Sequence, residues 1–432
     1  MSAAIAAAAV NAAIRRCTGS PHLKPAEQAL ADQCCLPSRR AASDSANSPQ
    51  LGRFPLSPTL LPVMTGPHGV GNRRLFLTDT ARTDPITGSG QRKVSVTAWY
   101  PTPSTGAVAR YLSNVDSYDE TMALALVNGL ENAGCSKSWW TGAITCGGFF
   151  GNVNPNNTMY GNIRARDTRA VKDAAVSTDL GPLPTVIFSP GFGIPGNHAS
   201  ILAQELASHG YLVLTLSHTY ESIVTELSTG VVAQNGSAVS NQWQKVLTAR
   251  MGDVKFILDQ LPTLPNGIGN QADLSRIACA GHSYGGYTSL EMAYHDSRVK
   301  AVAVLDGTAG YDGTENHAQN NGVSQPVMLL SGDIDLGDNY LVGGEHGSWA
   351  TYRNTTHGPL HMLEVAGTKH YAFTDVGLLT VQTASLNGSI NPTRAMAIHT
   401  TFTRVFLDQY LKGIPTPLLD GTDPGWPEVT TF

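Results

Sequence analysis

Ser283 stands in Gly281-His282-Ser283-Tyr284-Gly285, a Gly-x-Ser-x-Gly pentapeptide between the apolar run Ile277–Ala280 and a helix-compatible stretch that begins near Tyr287. A serine on a tight strand-to-helix turn has its hydroxyl exposed and helix-terminal N–H groups beside it. The flanking glycines leave room where a Cβ would collide with neighbouring chain. A serine hydroxyl is a weak nucleophile near neutral pH. It needs a base, and the base needs a carboxylate to orient it. Three histidines and two aspartates downstream compete for those places: His357, His361 and His370, and Asp306 and Asp335.

The order serine, acid, histidine and the strand–turn–helix setting are those of the α/β-hydrolase nucleophile elbow. In that arrangement the base follows the last core strand. Leu360–Val365 reads as that strand, and Gly367-Thr368-Lys369-His370 follows it, so His370 is the expected base. His357 precedes the strand, and His361 lies inside it, where a packed, paired ring is expected. Asp306 ends the apolar strand Val299–Leu305, and Asp335 follows the next strand, Pro326–Leu330. Both belong to the carboxyl edge of the sheet, and spacing alone does not separate them. Two backbone N–H groups should face the developing oxyanion. They are expected from Tyr284, next to the nucleophile, and from Phe192 in the loop Pro190-Gly191-Phe192-Gly193, which follows the strand ending Phe188-Ser189.

The elements needed to carry these residues are legible in order. Leu75–Leu77 and Val94–Tyr100 read as strands. Pro184–Ser189 is nearly continuous in apolar residues, as a strand covered on both faces must be. A helix His198–His209 closes at Gly210. Then come strand Tyr211–Leu216, helix Trp243–Leu261 with an apolar stripe through Val246, Leu247, Val254, Ile257 and Leu258, and a terminal helix Thr393–Leu411 before Gly413. Alternation of strand and helix predicts an α/β fold: a doubly wound, mostly parallel sheet. Residues 102–180 interrupt the alternation. They read as an insertion placed like a lid or cap, with a helix over Asp119–Leu130 and a loop bracketed by Cys135 and Cys146 that a disulfide could close. The expected organisation is a disordered segment over 1–50, then one hydrolase domain over 51–432.

Composition narrows the function classes. The chain has 432 residues, a formal net charge of −5, 41% hydrophobic and only 14% charged residues. It has no basic block, which argues against nucleic acid as a partner. No apolar run approaches the roughly 18 residues that a membrane span requires. No His/Cys/Asp cluster shows metal-ligand spacing in the sequence, so neither a metal nor a cofactor is expected. Few Lys and Glu and the sequons at Asn156, Asn235, Asn354 and Asn387 point to a secreted glycoprotein. Residues 1–16, alanine-rich and ending Arg15-Arg16, lack the pattern of a secretory signal and leave a transit peptide or a misassigned start open. Cys279 reads as a buried thiol. Cys17, Cys34 and Cys35 are left unassigned.

Several stretches together resemble the platelet-activating-factor acetylhydrolases: Phe188-Ser189-Pro190-Gly191-Phe192-Gly193, Leu206-Ala207-Ser208-His209-Gly210-Tyr211, the elbow through Gly286, Leu305-Asp306-Gly307-Thr308 and His370-Tyr371-Ala372-Phe373-Thr374-Asp375. The similarity runs from about Thr65 to residue 411. It implies a metal-free Ser–Asp–His triad whose acid follows the strand after the nucleophile helix, which favours Asp306 over Asp335. It also implies a phospholipid with a short or oxidised sn-2 acyl group as substrate, met at a lipid interface. Pro190 stands where the vertebrate enzymes usually carry histidine, and the 102–180 segment is longer than theirs. The alternatives are a general carboxylesterase or lipase, polyester-cleaving enzymes included, an acyltransferase using the same triad, and a hydrolase fold used only for binding.

Overall fold

The computed structural model describes residues 61–112, 166–333, 346–379 and 384–432, together with two short strands between them. Its elements, in chain order, are β1 (Val70–Thr83), β2 (Gln91–Pro101), β3 (Val108–Arg110), β4 (Cys135–Lys137), β5 (Ile144–Cys146), β6 (Asp167–Lys172) and β7 (Leu183–Ser189). Helix α1 (Ser200–Ser208), β8 (Leu212–His218), β9 (Val224–Leu227), β10 (Gly230–Ala233) and α2 (Trp243–Gln260) follow. Then come β11 (Ala272–His282), α3 (Tyr284–His295), β12 (Val299–Leu305), α4 (His317–Asn321), β13 (Val327–Gly332), α5 (His346–Thr355), β14 (Leu360–Val365), α6 (Pro392–Lys412) and β15 (Val429–Thr431).

Among the described residues, eleven strands form one sheet in the order β15-β14-β13-β12-β11-β7-β8-β2-β1-β6-β3. The six from β14 to β8 run parallel, and β2 joins β8 antiparallel. Successive side chains of a strand point to opposite faces, and here each face has its own core. Ala278 and Ala280 of β11, with Ala301, Ala303 and Leu305 of β12, meet Leu202 and Leu206 of α1 and Phe402 and Phe406 of α6. Their neighbours Ile277, Cys279, Val302 and Val304 meet Val254, Ile257 and Leu258 of α2 and Leu290 of α3. Burial on both faces is why these strands are apolar throughout. The doubly wound expectation is met.

The segment 102–180 is less of an insertion than the sequence suggests. Its two ends, β3 and β6, pair with each other, and β6 pairs with β1, so both belong to the main sheet. Both strands are short and carry charged residues, which hid them. The antiparallel register of β4 and β5 sets Cys135 opposite Cys146. The expected helix Asp119–Leu130, the segment 1–50 with Cys17, Cys34 and Cys35, Asn156 and Asp335 lie outside the described residues. Asn387 corrects the sequon reading, because its side chain is 2% exposed and closes against Gly377, leaving no room for a glycan. Asn354, on α5, is exposed. Cys279 is a free buried thiol, as expected, and burial pushes its pKa up to about 12.

Candidate active site

Strand β11 ends at His282 and α3 starts at Tyr284, so one residue makes the whole turn. Ser283 has φ 55° and ψ −127°, a conformation L-residues rarely adopt. It persists because its surroundings leave no alternative. The Ser283 N–H donates to Leu305 O at 2.9 Å. A Cβ at Gly281 would run into the Gly285 backbone, and one at Gly285 into Ser189 O. The helix begins three residues earlier than expected. Gly285 and Gly286 are poor helix formers, but here they allow the close approach to the sheet.

Asp306 follows β12 with φ 46° and is fully buried. One carboxylate oxygen accepts the Gly332 N–H at 2.7 Å, and the other accepts from His370 Nδ1 at 2.5 Å. The His370 side chain is 19% exposed, so the imidazole is open to solvent while the Asp306 carboxylate is not. The other histidines are accounted for as expected. His361 Nε2 lies 2.7 Å from the Tyr410 hydroxyl, and His357 is exposed ahead of β14. Asp333, at the end of β13, accepts the Gly367 N–H at 2.6 Å and so ties down the loop that delivers His370.

His282 adds a contact that the sequence did not reveal. Its Nε2 donates to the His370 carbonyl at 2.9 Å, and the two rings lie 4.5 Å apart. Burial, and after it the neighbouring His370, holds the His282 pKa well below the usual histidine value. Both effects favour the neutral ring, and the His370 carbonyl requires the proton on Nε2.

The loop Pro190–Gly193 is clamped from behind by two buried charges. Arg250, from the middle of α2, donates to Pro190 O at 2.6 Å, to Gly191 O at 2.9 Å and to both Glu221 oxygens at 2.9 Å. Glu221 accepts the Gly193 N–H at 2.7 Å. Arg250 also reaches Ser189 Oγ, which pairs with His218, and His218 pairs with Asp253 at 3.0 Å. With its carbonyls held away, the loop lies against the elbow: a Cβ on Gly191 would be 3.4 Å from the Ser283 Cβ. Among the described residues, the N–H groups of Phe192 and Tyr284 donate to no other group. Arg250 and Glu221 were missed in the sequence. The available signal was a charged residue on the apolar stripe between Val246 and Val254.

Beside the loop stands a set of aromatic rings. Trp243 lies 5.0 Å from Phe192 and 4.9 Å from Tyr311, and Tyr284 lies 5.1 Å from Tyr311. Away from this site, Glu291, His295 and His317 bring three ligand-type atoms within 4.8 Å of one another. Spacing along the sequence does not mark this group. Two of the three are four apart on one helix, and the fold supplies the third.

The chain is 25% identical over 279 residues, 62% of its length, to a probable 1-alkyl-2-acetylglycerophosphocholine esterase of Arthroderma benhamiae. It is 25% identical over 260 residues, 53% of its length, to a platelet-activating factor acetylhydrolase of Cavia porcellus. The matches span 64% and 57% of those relatives, less than two thirds of either. Among solved structures, a ferulic acid esterase from Streptomyces cinnamoneus superposes with a TM-score of 0.69 at 26% identity, over 87% of this chain and 100% of that one. The family model for platelet-activating factor acetylhydrolase, isoform II, matches residues 149–260 and 253–414, and the chain belongs to that family.

Proposed function

We propose that this chain is a serine ester hydrolase of the α/β-hydrolase type, with Ser283 as nucleophile, His370 as general base and Asp306 as the orienting acid. Ser283 Oγ attacks the ester carbonyl while His370 Nε2 takes its proton. The carbonyl oxygen becomes an oxyanion held by the N–H groups of Phe192 and Tyr284. The tetrahedral intermediate collapses, the C–O bond to the alcohol breaks, and His370 returns the proton to the departing alkoxide. Water then attacks the acyl-enzyme by the same route and releases the acid and free Ser283. Asp306 orients the imidazole and stabilises the imidazolium. The scheme requires no metal or cofactor. The observation that carries it is the 2.5 Å contact from His370 Nδ1 to Asp306, beside a serine held at φ 55°.

The substrate assigned is a phospholipid with a short or oxidised sn-2 acyl group, a reading supported by the family and by the names of the matched relatives. A second reading is a broader carboxylesterase that takes aromatic acyl groups. The ring set Phe192–Trp243–Tyr284–Tyr311 and the ferulic acid esterase likeness favour it. A panel of a 2-acetyl ether phospholipid, p-nitrophenyl esters of rising chain length and a feruloyl ester separates the two. A kcat/KM highest for the acetyl phospholipid upholds the first, and one highest for the feruloyl ester replaces it with the second. Secretion is part of the proposal, supported by the low charged fraction of 14% and the exposed sequon at Asn354. Among the described residues no helix is long and apolar enough to cross a membrane.

A further inference from the structure

Glu291 and His295 are four residues apart on α3 and so share one face of that helix. His317 opens α4 and is brought to the same place by a fixed turn. Asn316 has φ 52°, and its side-chain oxygen accepts from the Tyr287 hydroxyl at 2.7 Å and from the Tyr311 N–H at 2.7 Å. The Glu291 carboxylate is buried. Its Oε1 accepts the Ala318 N–H at 2.8 Å, but among the described residues its Oε2 has no hydrogen-bond partner. That oxygen lies 3.5 Å from His317 Nδ1 and 3.8 Å from His295 Nε2. A buried carboxylate oxygen left unsatisfied is costly unless something positive stands before it. Tyr294 stacks on the His317 ring at 5.6 Å and meets the His295 ring edge at 5.1 Å, so both imidazoles are held in place.

We propose that Glu291, His295 and His317 form a binding site for a divalent first-row transition-metal ion, Zn2+ foremost. Two imidazoles and one carboxylate are a donor set that suits zinc, and ligands at 2.0–2.1 Å around a tetrahedral ion stand roughly 3.4 Å apart. The separations of 3.5 and 3.8 Å from Glu291 Oε2 need only small adjustment, and the two imidazole nitrogens, within 4.8 Å of each other, close in on the ion. The Ala318 N–H orients the carboxylate as outer-shell donors do. The side chains of His295 and His317 are 38% and 35% exposed, which gives the ion a way in and leaves the fourth position to water or to Glu315, whose Oε2 lies 3.7 Å from His317 Nδ1. Bound there, the ion ties α3, the helix that starts at the nucleophile elbow, to the segment that follows Asp306. It acts as a clamp outside the ester chemistry. The site does not depend on the hydrolase reading.

The test uses full-length protein without an affinity tag, stripped with EDTA and titrated with zinc chloride by calorimetry and with cobalt chloride by visible absorption. The expected result is one equivalent of Zn2+ per chain, a Co2+ spectrum of low-symmetry four- or five-coordination, and a rise in Tm with zinc as mass action requires. His295→Ala and His317→Ala each weaken zinc binding at least tenfold. Glu291→Gln, which keeps the Ala318 contact, does the same, while ester kcat/KM in all three stays within twofold of wild type. Failure of the wild type to take up zinc at 100 μM overturns the proposal. So does a His295→Ala/His317→Ala double variant that binds zinc as tightly as wild type.

Discussion

His282, the residue before Ser283, holds the turn that carries His370. His282 Nε2 donates to the backbone carbonyl of His370 at 2.9 Å, so the strand that ends in the elbow also anchors the turn that presents the imidazole. Asp306 fixes the His370 ring from one side, and His282 fixes its main chain from the other. In the proposed mechanism His282 is a positioning residue, since it acts only through His370.

Replacing His282 by leucine removes the donor without leaving a buried charge. We expect kcat to fall about tenfold with KM nearly unchanged, because a misplaced base weakens the transition state rather than substrate binding. His282→Gln, whose amide N–H can reach the same carbonyl, should recover part of the loss. Equal activity in all three proteins would show that the contact positions nothing.

Arg250 and Glu221 shape the Pro190–Gly193 loop. In Arg250→Lys the charge remains but the planar fork that spans Pro190 O, Gly191 O and Glu221 is lost. The expected loss is about 10²-fold in kcat, the scale of losing one oxyanion donor. The fold, followed by near-UV circular dichroism, should persist. A kcat within threefold of wild type would separate this clamp from the chemistry.

Much of this site could be read before the fold was known. Strands β12 and β14 have the bounds their apolar runs predict, and His370 stands where a base after the last core strand should. The parts that stayed hidden share a physical cause. Arg250, Glu221 and Asp253 are buried charges that partner residues far away in sequence, and nothing local marks such pairs. His317 joins Glu291 and His295 only through the turn at Asn316. Asn387 matches a sequon but is packed inside, because a tripeptide carries no information about burial. Between Asp306 and Asp335, spacing offered no choice; the His370 contact falls to Asp306.

Stability should decline on acidification. Burial holds His198 and His399 down at about 3, and it lowers His282 and His218 as well. An unfolded chain takes up these protons as pH falls through about 6.5, and the folded chain does not. Their contribution is complete above about 6.5 and is lost as pH falls towards the folded values. Asp375, raised by burial, opposes this above about pH 4, since its folded carboxyl holds a proton that the unfolded one releases. Four histidines against one carboxyl leave a net loss. Tm measured by calorimetry should drop between about pH 6.5 and 4.5, with a shallower slope in His399→Phe. A Tm that rises over that interval would refute this balance.

The triad itself is open to a covalent test. A fluorophosphonate ester probe incubated with wild type, Ser283→Ala and Asp306→Asn, followed by intact-mass spectrometry and steady-state ester hydrolysis, reads the nucleophile and its acid together. One adduct per wild-type chain is expected, mapped to Ser283, and none in Ser283→Ala. Asp306→Asn should lose about 10⁴-fold in kcat and Ser283→Ala about 10⁴-fold or more, the scale on which triad members fail singly. An adduct on another residue, or a folded Ser283→Ala that keeps a tenth or more of wild-type activity, would contradict the assignment of Ser283 as nucleophile.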